Sequence, residues 1–281
     1  AWVHFPIGCG GLGVSPKFQK IVNEELAKAG GPSAHARNPI GYGMCGPTVV
    51  EWGNDAQKAR YLRPLFTGEE IWCQLFSEPG AGSDFAGLSA KGIRDGDEWV
   101  VNGQKVWTTL AHLSKWGLLV VRTDAEAVKH AGLTALIVDM QAPGVEVRPL
   151  YQITGEAEFN EVYFTDVRIP QNEMLGSVGD GWRVSLTTLM NERVSIGGAI
   201  PGKGSGAIRE ATKVWSSLSQ DEQDPATKDE LMKLWIRAEL LRLTNIRASQ
   251  NRKMGDPGPE GSIAKLAMAE LHKDIYSFAV S

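Results

Sequence analysis

The stretch Asp95-Gly96-Asp97-Glu98-Trp99-Val100-Val101-Asn102-Gly103-Gln104-Lys105-Val106-Trp107-Thr108-Thr109 decides the fold class of the middle of this 281-residue chain. Its β-branched and aromatic residues fall in two short runs, 99–101 and 106–108. Each run follows a dipeptide of the hairpin-closing kind, Asp95-Gly96 and Asn102-Gly103. Outward from it, further β-rich runs recur at 88–94, 116–122, 133–139, 145–150 and 159–164, with no helical period between them. Many short strands with regular turns predict an antiparallel sandwich or barrel, not a βαβ sheet.

On both sides the hydrophobic period becomes helical. Towards the N-terminus, Ser15-Pro16 is an N-cap and first-turn pair; Phe18, Val22 and Leu26 share a face, and Gly30-Gly31 closes the turn. A second helix is expected from Asn54 through Leu62, with Pro64 and Gly68 marking its end. From Asp180 onward the pattern is helical again, interrupted by the glycine-rich stretch 197–206 and the polar stretch 216–228. In the last long run, Leu231, Trp235, Ala238 and Leu241 form one stripe and Met232, Ile236, Leu240 and Leu243 another, which predicts a helix buried in a bundle. The expected architecture is α+β: a helical N-terminal domain over 1–70, a middle β-domain over 71–179 and a helical C-terminal domain over 180–281.

Composition narrows the function. With 29 basic and 33 acidic residues the formal charge is −4, and no Lys/Arg block offers a nucleic-acid or membrane-surface footprint. A small soluble ligand is the expected partner. Cys9, Cys45 and Cys73 are odd in number and lack C-x-x-C spacing, so neither a disulfide framework nor a thiolate metal site is expected. The histidines at 4, 35, 112, 130 and 272 are scattered and give no metal pattern. With no leader and no apolar run long enough for a membrane span, a reducing, cytoplasmic setting is expected. Both ends of the chain read as cut.

Two tempting motifs lack their context. Gly8, Gly10 and Gly13 spell G-x-G-x-x-G, but Pro6 precedes them and Ser15-Pro16 follows, where a dinucleotide fingerprint needs a strand. Gly204-Ser205-Gly206 has no strand before it to make a hydrolase elbow. The run Ser77-Glu78-Pro79-Gly80-Ala81-Gly82-Ser83-Asp84 holds more: Pro79 fixes φ, Gly80 and Gly82 permit close backbone approach, and Ser77 and Ser83 add hydroxyls. Such a loop either presents donors to an anion or polar ring edge, or serves only as a turn. Trp107, followed by Thr108 and Thr109, combines an aromatic plane with hydroxyls, as a flat heteroaromatic cofactor requires; a core tryptophan beside turn threonines would look the same.

Three ordered motifs separate these alternatives. The 77–84 run, then 102–109, then Phe159-Asn160-Glu161-Val162-Tyr163-Phe164-Thr165-Asp166-Val167-Arg168-Ile169-Pro170, closely resemble the acyl-CoA dehydrogenase family. The resemblance continues through Gly181-Trp182 and Met190-Asn191-Glu192-Arg193. It implies FAD-dependent α,β-desaturation of an acyl-CoA thioester, in lipid metabolism of the fatty acid β-oxidation type, with electrons passed to an electron-transferring flavoprotein. Carried over by position, Gln74, Leu75, Phe76, Ser77, Gly82 and Ser83 would line the flavin, with Trp107 covering its ring and Thr108 and Thr109 at its edge. Gln74 stands where many relatives have an aromatic. Ser83 would also reach the thioester, Arg193 would position the coenzyme A part, and Glu192 would be the base that takes the α-proton. In other relatives the base lies further along the helical domain than this chain extends.

One departure concerns assembly. The Arg-x-Phe-Gly-like motif through which a neighbouring subunit of typical relatives contacts the flavin is not found, and the run from Arg247 to Lys265, with Pro257-Gly258-Pro259-Glu260-Gly261-Ser262, resembles a divergent bacterial branch. Members of that branch form mixed as well as single-chain oligomers. Two alternatives therefore stand beside the dehydrogenase: an acyl-CoA oxidase, and a non-catalytic partner subunit of a mixed assembly.

Overall fold

A computed structural model describes residues 2–31, 34–197, 200–253 and 259–280, except for the side chains of 34, 35, 194, 196, 197, 252 and 253. Pro257 and Gly258 of the 257–262 run, and part of the 197–206 stretch, lie outside the described residues. The chain forms two compact units, Ala1–Asn191 and Glu192–Ser281.

The first unit begins with four α-helices: α1 (Gln19–Lys28), α2 (Ala34–Arg37), α3 (Gly46–Trp52) and α4 (Asp55–Thr67). Ser15 caps the 3-10 turn that leads into α1, accepting from the Lys17 N–H at 3.4 Å. Of the expected apolar face of α1, Phe18 and Leu26 are exposed and Val22 is half-buried. Asn54 caps α4 in a reciprocal capping box with Gln57. The helix runs beyond its expected end through Pro64 and stops at Gly68, whose φ of 75° makes the left-handed C-cap. The G-x-G-x-x-G of residues 8–13 is a chain of turns with no strand before it among the described residues.

Eight strands follow: β1 (Trp72–Leu75), β2 (Lys91–Asp95), β3 (Glu98–Thr109), β4 (Trp116–Arg122), β5 (Leu133–Asp139), β6 (Val145–Leu150), β7 (Phe159–Pro170) and β8 (Met174–Leu175). They form one sheet in the order β6-β7-β3-β2-β4-β5-β8, with β1 pairing β4 in parallel. Residues of β4 and β5 alternate between two cores. Leu118, Val120, Leu133, Ala135 and Ile137 pack with Val49, Leu62, Leu65 and Phe66 of the helices, whereas Leu119, Val121, Leu136 and Val138 pack with Val101, Val162 and Phe164 across the sandwich interior. Burial on both faces explains the uninterrupted apolar run of β4.

The two dipeptides expected to turn behave differently. Gly96 does turn the chain between β2 and β3, which pair from Asp95↔Glu98 to Lys91↔Asn102. Asn102-Gly103 does not; β3 continues through it to Thr109. The dipeptide is instead a register shift against β7. Gly103 has φ 150°, and a Cβ there would lie 2.6 Å from that of Ala90. Close approach, not chain reversal, requires this glycine. Beyond the sheet, α5 (Gly181–Gly197) begins in the first unit, where the Thr188 and Thr48 hydroxyls meet at 2.9 Å.

The second unit contains α6 (Ala207–Ser217), α7 (Pro225–Lys253) and α8 (Glu260–Val280) around Ile208, Ala211, Trp215, Leu231, Leu234, Leu271 and Ile275. The expectation of an α7 buried in a bundle holds on one stripe only. Trp235, Ala238 and Leu241 pack on this core, but Met232, Ile236, Leu240 and Leu243 are exposed. No described helix is long and apolar enough to cross a membrane.

Candidate cofactor site

The 77–84 loop leaves the end of β1 and is tied down at both ends of its turn. Glu78 and Ala81 exchange both backbone hydrogen bonds at 3.0 Å, which makes Pro79 and Gly80 the centre of a tight turn. Pro79 suits that place because its φ is already set. Gly80 and Gly82 have neither a positive φ nor any neighbour within 4 Å of a built Cβ, so the chain's own conformation demands neither glycine. Both are exposed, as is Ser83, and a planar group could approach their backbone closely.

Beneath the turn lies a buried ion pair. The Lys105 ammonium, fully buried, donates to the Glu78 Oε1 at 2.8 Å and to the Phe76 carbonyl at 3.0 Å. Glu78 Oε1 also accepts from the Ala90 N–H at 2.9 Å, and its Oε2 from the Ser89 N–H at 2.6 Å and hydroxyl at 2.8 Å. Burial draws the Lys105 ammonium down to about 8, against the opposing pull of Glu78. Burial pushes Glu78 up, but the ammonium and the Ser89 and Ala90 N–H groups outweigh it and hold the carboxyl below its usual range. Neither residue was singled out from the sequence. A signal existed: Lys105 has the parity of core-facing Trp99 and Val101 in an alternating strand, where a lone charge is costly.

The next residue of β3 completes the connection, because the Val106 N–H donates to the Ser77 carbonyl at 2.8 Å. A second register shift, between Lys105 and Thr108, breaks the alternation. Val106 and Thr108 are buried, Thr109 is half-buried, and Trp107 stands 63% exposed at φ 58°. Phe159 meets the Trp107 ring edge-on at 6.1 Å. The Thr108 hydroxyl is buried with no hydrogen-bond partner among the described residues.

The other expected lining residues divide by face. Leu75 packs in the sandwich core and Phe76 in the helix-facing core, so each presents only backbone to the loop. Gln74 is half-buried on β1 opposite Leu118. Past Ser83, the Asp84 carboxylate pairs with Lys129 at 2.6 Å, and Arg122 grips the Ala86 and Leu88 carbonyls. Phe85 lies between Phe76 and Trp182, with His130 against Trp182 at 4.2 Å, an aromatic wall beside the loop. In the second unit, Glu192 on α5 is ion-paired with Lys265 on α8. Arg193 follows it, half-buried.

The donor set and cradle fit a flat heteroaromatic cofactor. Two glycines leave room above a turn, an exposed indole stands near, and a buried hydroxyl has no partner among the described residues. The fold is that of a helix–β–helix protein with a glycine-containing turn and an exposed indole at one edge of its β-domain. Three family descriptions match: "Acyl-CoA dehydrogenase, N-terminal domain" over residues 1–69, "middle domain" over 73–167 and "C-terminal domain" over 179–281. The chain belongs to the acyl-CoA dehydrogenase family.

Among its relatives, acyl-CoA dehydrogenase IpdE1 of Mycobacterium tuberculosis is 37% identical over 96% of this chain and 69% of its own length. Acyl-CoA dehydrogenase FadE34 of the same organism is 42% identical over 94% of this chain. The chain spans 36% of FadE34. Among solved structures, the ChsE4-ChsE5 complex from Mycobacterium tuberculosis matches with a TM-score of 0.80 at 30% identity, over 99% of this chain and 72% of that one.

Proposed function

We propose that the chain is part of an FAD-dependent acyl-CoA dehydrogenase that desaturates an acyl thioester between its α and β carbons. The observation that carries this reading is the fastening of the 77–84 loop to the Trp107 strand, which gathers a glycine cradle, two serine hydroxyls and an exposed indole at one edge of the β-domain. Bound FAD supplies the acceptor for the β-hydride. The backbone of residues 74–77 and 82–83 and the Ser77 hydroxyl hold its edge, Trp107 covers its ring, and Thr109 and the backbone of Thr108 complete the donor set.

Ser83 binds the thioester, Arg193 positions the coenzyme A part, and Glu192 removes the α-proton. A thioester α-proton is far weaker an acid than a carboxyl, so donors on the thioester carbonyl must stabilise the developing enolate. The Glu192 carboxylate must also leave its Lys265 partner to meet the substrate. Electrons then pass to an electron-transferring flavoprotein, and the chain works assembled with another chain of its own family.

Glu192→Gln in the full-length protein tests the base. Bound flavin is retained, and bleaching of its absorbance by acyl-CoA under anaerobic conditions falls by at least a thousandfold. Undiminished bleaching would place the base elsewhere, and rapid oxygen consumption without added acceptor would point to an oxidase. A purified wild type without flavin would favour the partner-subunit reading.

A further inference from the structure

The Lys105–Glu78 pair is the feature of the first unit that stability alone explains least. An ammonium and a carboxylate, 0% and 4% exposed, have been taken out of water together. A buried pair of this kind often stabilises a fold no better than apolar side chains of equal volume. Its arrangement is also polarised. The carboxylate faces three donors from residues 89 and 90, while the ammonium faces the Phe76 carbonyl.

Consecutive residues of β3 thereby grip consecutive carbonyls of the loop. Lys105 Nζ holds Phe76 O, and the Val106 N–H holds Ser77 O. The register shift between Lys105 and Thr108 lets both neighbours turn inward at once, and the residue after them is Trp107. The Phe76 carbonyl and the Ser77 N–H belong to one peptide group. A cation bonded at the carbonyl end makes the N–H end a stronger donor. Among the described residues, neither the Ser77 N–H nor its hydroxyl donates to another protein group.

We propose that Lys105 is a positioning residue for the cofactor: its ammonium, anchored by Glu78, fixes and polarises the Phe76–Ser77 peptide that donates to the flavin edge. The inference rests on the flavin reading above. Electrons added to the ring make its edge a better acceptor, so a strengthened donor favours the reduced cofactor and raises its midpoint potential. A preordered donor also tightens binding, because its ordering cost is met on folding.

The test uses Lys105→Met and, to avoid stranding a buried carboxylate, the double variant Lys105→Met/Glu78→Gln, both in the full-length protein. Three quantities are measured for each: the urea midpoint without cofactor, the FAD dissociation constant, and the midpoint potential of bound flavin against a reference dye. In the double variant, FAD binding weakens tenfold or more. The ratio of reduced to oxidised flavin at fixed potential also falls tenfold, about 30 mV for a two-electron couple. A folded double variant with the wild-type dissociation constant and potential overturns the inference alone, whatever its urea midpoint. A wild type that takes up no FAD overturns the cofactor reading and the inference with it.

Discussion

Trp107 is a bulky side chain in the left-handed region at φ 58°, a conformation that costs an L-residue about 1–3 kcal/mol. Its ring gains little from the fold in return, being 63% exposed with the edge of Phe159 against it. Strain of this kind at an exposed aromatic makes sense if the ring serves a ligand. Trp107→Ala should therefore leave the urea midpoint of the cofactor-free chain almost unmoved, within about 0.5 kcal/mol as for other surface substitutions. The same change removes apolar cover worth about 1.5–3 kcal/mol, roughly ten- to a hundredfold in the FAD dissociation constant. Fluorescence titration of the apo-protein with FAD checks it. A large loss of stability with unchanged FAD affinity would make Trp107 a structural residue instead.

At the scale of elements, the sandwich was legible because alternation and helical period are local properties. Strands β4, β5 and β6 fall where the sequence pattern places them, and α4 begins after Asn54 as expected. What escaped was decided by distant contacts. Trp72–Leu75 is too short to announce itself, and becomes β1 only by pairing with β4 more than forty residues later. Asn102-Gly103 has the composition of a turn, yet β7 supplies a partner on both sides of it and the strand continues. The motifs around the loop stand out only through family resemblance, and the buried Lys105–Glu78 pair beneath them shows in the sequence only as the inward parity of Lys105, with nothing to mark Glu78 as its partner. The reinterpreted glycine has a measurable consequence. Gly103→Ala would bring a methyl to 2.6 Å from Ala90 Cβ and force the strands apart. The expected cost is about 1–3 kcal/mol, seen as a lower urea midpoint at unchanged slope. A variant as stable as the wild type would mean that residue 103 is a free turn after all.

At the scale of the whole molecule, the second stripe of α7 is an apolar surface. Met232, Ile236, Leu240 and Leu243 recur at helical spacing and are 42–59% exposed, while the opposite stripe builds the core of the helical unit. On α8, Ile263 and Leu266 are likewise exposed. A row of this length exceeds the scattered apolar residues that a monomer's surface carries without consequence. Under the proposed assembly with a second chain, this row is the surface on which that chain would sit. Burying the row would contribute in proportion to the apolar area covered, and carboxylates placed in its centre would oppose that directly. Ile236→Glu with Leu240→Glu should therefore leave the helical unit folded, because neither side chain belongs to its core, yet lower the mass found by light scattering to that of one chain. Co-expression with a second family chain, when one accompanies it, separates the two kinds of partner: retention of that chain marks a mixed assembly, and a single species of doubled or quadrupled mass marks copies of this one. An unchanged mass in the Glu pair would remove α7 from the interface.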